Sequence, residues 1–190
     1  MYAFGVSNRL GSRSTATVIP EFVPRNQTTL EPLTAREVDF CLALEPKEST
    51  HEFLAAQDLQ AVNQSLYTAL LSRPIAVSIE TKRPVPHGGG VDQLMVWTRA
   101  WFARVSCMAP EAAMPTLPVV RIIRHTWDMR WVWMEPGDVP KMRYTPAVFL
   151  GRSDDLPGMY RILAGIRALA RWVEDVFEPW TSETFQIRGV

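Results

Sequence analysis

Glu80 and Lys82 stand two residues apart near the end of an apolar run, AVSIETKRP over positions 76–84. Ile75, Val77 and Ile79 alternate there with Ala76, Ser78 and Glu80, the period of two of a buried strand, so Glu80 and Lys82 share one face. A carboxylate and an ammonium on such a strand are costly to desolvate unless they pair with each other or hold a ligand. A second carboxylate, Asp39, lies in VDFCLAL over 38–44. Val38, Phe40, Leu42 and Leu44 give that strand its apolar face, which leaves Asp39 on the thinner one. Gln93 falls in the first turn of the helix that follows the Glu80 strand.

The elements that must position these residues follow from the rest of the pattern. Residues 1–29 read as an arm with a short strand or helical turn, anchored by Ile19, Phe22 and Val23. Ser49 and Glu52 have capping-box spacing, and Ala55, Leu59, Val62, Leu66 and Leu70 extend an amphipathic helix to Ser72, stopped by Pro74. The PVPHGGG stretch over 84–90 is a flexible turn; it lacks the lysine and hydroxyl of a phosphate-binding loop. Asp92 is placed to cap the next helix, whose stripe is Leu94, Trp97, Trp101 and Val105. Residues 118–125 and 129–134 predict a hairpin joined by 126–128, with a last strand over 146–150. Trp131 and Trp133 share a face, as core or as a platform for a flat ligand. From Pro157 onward, Met159, Ile162, Leu163, Ile166, Leu169, Ala170, Val173 and Val176 define a helix of about five turns, with Arg161, Arg167 and Arg171 off its stripe. The expected architecture is an α/β sandwich around a mixed sheet: an arm over 1–29, one domain over 30–180, and a tail over 181–190 that packs first and then frays.

Composition narrows the function. An apolar fraction of 47% with seven tryptophans in 190 residues specifies one domain with a sizeable core. No apolar run approaches the roughly 20 residues that span a bilayer. Twenty basic residues balance twenty acidic ones, so nucleic acid must be met through a local patch. Cys41 and Cys107 read as buried free thiols, and the N-terminus lacks a secretory pattern, which together favour an intracellular compartment, nuclear or cytoplasmic. The three histidines have no zinc spacing, but His87 and His125 could reach a common site.

Asp on one strand, Glu-x-Lys late on the next and a helix opening with Gln resemble the PD-(D/E)XK nuclease superfamily. More narrowly, VDFCLALEP, VSIETKRP, VDQLMVWTRAW and GRSDDLPGMYRILAGIRALARW resemble the fungal nuclease-like proteins of that superfamily. Val38 stands where the superfamily's name has proline. The resemblance implies a restriction-endonuclease-like fold, a mixed β-sheet flanked by helices. It implies Mg²⁺ or Mn²⁺ held by Asp39 and Glu80, with Lys82 as catalytic lysine and Gln93 as a helper, in phosphodiester hydrolysis. Hard carboxylate oxygens suit such ions. Two other readings stand beside it. One is a fold repurposed as an enzyme on a small apolar molecule, with Trp97, Trp101, Trp131 and Trp133 lining a pocket. The other is an inert interaction module whose Glu80 and Lys82 only pair. Either is compatible with a homo-oligomer.

Overall fold

The computed structural model describes residues 17–26, 28–33, 38–83 and 90–186, and the backbone of residues 3–6. Residues 84–89 of the glycine turn, His87 included, lie outside the described residues. Seven strands form one mixed sheet. β1 (Ala3–Val6) pairs antiparallel with β2 (Phe40–Ala43), and β2 antiparallel with β3 (Ile75–Lys82). β3 runs parallel to β4 (Leu117–Ile123), which turns back as β5 (Thr126–Glu135). The outer edge of β5 holds β6 (Lys141–Tyr144) and β7 (Val148–Arg152). The expected arm thus contains an edge strand of the sheet.

A parallel pair needs a crossover, and α2 (Val91–Met108) supplies it between β3 and β4. Its Leu94, Trp97, Trp101 and Val105 are buried, as their spacing predicts, and so is Phe102. Gly90, not Asp92, is its N-cap, and Asp92 stands exposed in the first turn. α3 (Leu156–Trp172) covers the other face of the sheet. Asp155 caps it by accepting a bond from the Gly158 N–H at 2.6 Å, and Arg161, Arg167 and Arg171 are exposed. A π-helical turn over Val173–Phe177 then leads into α4 (Glu178–Thr184), so the chain expected as a packed tail is helical to Thr184.

The helix expected to run to Ser72 ends much earlier: α1 spans Glu48–Ala56. Its N-cap is Lys47, and no capping box forms. Beyond it, Asn63, Gln64 and Ser65 are fully buried. The Asn63 amide donates to the carbonyls of Leu70 and Arg73 at 2.6 and 2.8 Å, and its oxygen accepts from the Ile75 N–H at 3.0 Å. A side chain that takes over backbone bonds in this way replaces the helical ladder with a stapled loop. Leu66, counted in the predicted stripe, is exposed.

The hairpin is present with a tighter turn, Arg124 and His125, Arg124 taking the left-handed φ of 54°. Residues 126–128, expected as the connection, belong to β5. Trp97 and Trp101 are buried in the core, and Trp131 meets Trp172 edge-on at 5.5 Å. Neither the cavity under α3 nor the cleft beside Trp180 is lined by Trp97, Trp101, Trp131 or Trp133. Cys41 is buried as expected, whereas Cys107 is exposed.

Candidate active site

The pleat puts Glu80 and Lys82 on the face of β3 that α2 crosses. Glu80 is fully buried, at 0% exposure, and its Oε1 lies 2.5 Å from the Lys82 ammonium, whose side chain keeps 31% exposure. The ion pair is therefore closed at its carboxylate end and open at its ammonium end. Burial pushes the Glu80 carboxyl above its ordinary value; the hydrogen bond from Lys82 opposes this, and the charge of Asp39 adds to it. Oε2 receives no hydrogen bond from any described side chain.

Asp39 arrives at the same place from β2. Phe40 pairs with Ile79 in the antiparallel ladder, which carries the preceding Asp39 alongside Glu80. Its Oδ2 accepts from the Thr81 N–H at 2.8 Å and the Thr81 hydroxyl at 2.6 Å, fixing the carboxylate. From above, Gly90 closes the site. A Cβ there would lie 3.0 Å from Lys82 Cγ, 3.3 Å from Glu80 Cγ and 3.8 Å from Arg121 Cδ, so a larger residue would have to press the Lys82 and Glu80 side chains aside. Gln93 follows in the first turn of α2, half-buried.

Sequence reasoning missed a basic cluster at the same face. Arg121 is the β4 neighbour of Glu80, and Asp128 is the β5 neighbour of Arg121. Arg121 donates from Nε and Nη2 to Asp128 Oδ2 at 3.1 and 2.7 Å, while Arg130 Nη1 donates to Oδ1 at 2.6 Å. One buried carboxylate thus holds two guanidiniums beside the Glu80 pair. The available signal was the one that marked Glu80, a charge inside an apolar strand pattern. His125 sits exposed in the hairpin turn, its Nδ1 3.4 Å from Ser153 Oγ. A site shared with His87 falls outside the described residues.

The donor set fits a hard divalent cation. Two carboxylates meet at one strand end, one of them buried with an oxygen that no described side chain bonds. Among the described residues, no three His, Cys, Asp or Glu side chains gather as a metal cluster. The remaining places around an ion would fall to water and substrate oxygens, which Mg²⁺ accepts. A family model described as the PD-(D/E)XK nuclease superfamily matches residues 3–178. The chain belongs to the PD-(D/E)XK nuclease superfamily. Comparison with curated proteins and with solved structures gave no match. The mixed sheet flanked by helices is the superfamily's fold.

Proposed function

We propose that this chain is a metal-dependent nuclease-like hydrolase of phosphodiester bonds in nucleic acid, akin to the fungal nuclease-like proteins its motifs resemble. The observation that carries the reading is the meeting of Asp39, Glu80 and Lys82 at one sheet end under Gly90. Asp39 and Glu80 would hold Mg²⁺ or Mn²⁺; when bound, such an ion stabilises the charge that develops on the phosphoryl group. Glu80 keeps Lys82 aimed into the site, and the partly open ammonium orients the attacking water and offsets the negative charge of the transition state. Thr81 holds the Asp39 carboxylate still. Arg121 and Arg130 supply the local basic patch that a chain of zero net charge needs to meet phosphates. Gln93 lies on the turn beside them as a helper.

The inert module is the second reading, in which the fully buried Glu80 only pairs with Lys82. Calorimetric titration of Mn²⁺, with an oligonucleotide cleavage assay in parallel, separates the two. The nuclease reading expects metal binding and cleavage in the wild type, both lost in Glu80→Ala. Cleavage that survives Glu80→Ala overturns it, and absence of binding at millimolar metal with oligonucleotide present leaves the inert module standing.

A further inference from the structure

On the face of the sheet away from Glu80, an apolar cavity of about 330 Å³ opens between the strands and α3. Phe40 and Leu42 of β2, Ile79 of β3 and Ile122 of β4 form its floor; Ile166 and Leu169 of α3 close it above. Among the described residues, no charged, amide or hydroxyl side chain lines it. Cys41 also borders the cavity, while its side chain belongs to the cluster of Trp97 and Ala100 on the α2 side of the sheet.

The framework explains why neighbouring side chains do not fill this space. α3 is docked on β7 through glycines. A Cβ on Gly151 would run into the Gly158 carbonyl, one on Gly158 would strike the backbone of Arg152, and one on Gly165 would lie 3.2 Å from Leu150 Cδ2. Backbone-to-backbone contact of that kind fixes α3 over the β7 edge. The helix cannot slide across to cover β2 and β3. Protein interiors carry few voids larger than a water molecule, and a dry apolar void forfeits contacts around its whole wall. At about twice the roughly 150 Å³ of an apolar cavity that takes up benzene, this one has room for a two-ring hydrocarbon or a chain of about ten carbons.

We propose that the cavity is a binding site for a free, uncharged, hydrocarbon-rich small molecule. Charge is disfavoured because no described lining side chain would satisfy it once water is expelled. The site is separate from the carboxylates: Ile79 lines the cavity, and Glu80, the next residue, points through the opposite face of the sheet. An occupant is therefore bound and not transformed by Glu80 or Lys82, and the proposal stands apart from the nuclease reading.

The test titrates the full chain with the neutral fluorophore N-phenyl-1-naphthylamine and competes it with 1-decanol and, separately, with decanoate. Saturable binding is expected, displaced by 1-decanol, with decanoate at least tenfold weaker. Ile166→Trp fills the cavity from the helix and Ile122→Phe from the floor. Each should weaken the probe at least tenfold, while Leu163→Trp, at an exposed position of α3, binds as wild type. Circular dichroism identifies a variant that fails to fold, and the other then decides. Non-saturable binding, wild-type affinity in the folded filled variants, or equal competition by decanoate overturns the proposal. Pelleting with phosphatidylcholine vesicles without a saturable probe signal overturns it too.

Discussion

A Cβ placed on Gly90 would stand 3.3 Å from Cγ of Glu80, so the backbone that opens α2 rests directly on the buried carboxylate. The φ of 87° at Gly90 is one that side-chain-bearing residues avoid. Gly90→Ala therefore meets two penalties, strain and a contact that must give way at Glu80 and Lys82. It should cost about 1–3 kcal/mol in urea unfolding and reduce metal-dependent cleavage together with stability.

Glu80 also ties stability to pH. Its folded carboxyl titrates above the ordinary value of 4.5, chiefly because of burial, so the folded chain binds more protons than the unfolded one between those two values. Stability of the metal-free protein should fall as pH rises through that window and level off above it. Glu80→Gln removes this component. Thermal melts of both proteins from pH 4 to pH 8 check it: the difference between them should grow in favour of the variant as pH rises through the window, and parallel curves would refute the assignment.

Lys82→Ala removes the only side chain paired with Glu80 among the described residues. Loss of one preorganised charge of this kind lowers turnover by roughly 10²–10³. Steady-state cleavage should show the drop in kcat with KM little changed, since Arg121 and Arg130 remain to meet the substrate. A matched loss in KM alone would assign Lys82 to binding.

Asp128 holds two arginines at once, and all three side chains are largely buried. Asp128→Ala strands both guanidiniums, at a cost of about 3 kcal/mol for breaking a buried pair. Denaturant unfolding should show that loss, and oligonucleotide binding should weaken as Arg121 loses its fixed orientation. Unchanged stability would mean that the arginines reach solvent when freed.

Glu80, Lys82 and Asp39 were legible because a charge in an apolar alternation has few explanations, and the strand period assigns it a face. α2 and the hairpin were legible for the same reason; α3 was legible as a helix, but Met159, Leu163 and Val176 of its expected stripe stand exposed. What stayed hidden depends on contacts between distant segments. Asn63 spends its amide on the carbonyls of Leu70 and Arg73 and the N–H of Ile75, and nothing in the local spacing of 57–72 announces that competition. Arg121 and Asp128 cancel each other across a strand pair, so their partnership needs the register of β4 against β5. The cavity is invisible for a third reason. It depends on where Gly151, Gly158 and Gly165 let α3 sit, and a helix stripe records which residues face inward without recording how closely they are covered.

β3 and β4 are the parallel pair of the sheet, and that has a consequence for how the protein is made. No tight turn can join parallel strands, so their pairing waits until α2 has crossed, and β2 must cross its own stapled loop to reach β3. Contacts of such sequence separation form late, because chain closure must be offset before they return any gain. The β4–β5 hairpin and α3 can form from local segments, but Asp39, Glu80 and Arg121 meet only when the sheet closes. A chain still emerging from the ribosome holds these residues apart, so whatever chemistry they support begins with completion of the fold.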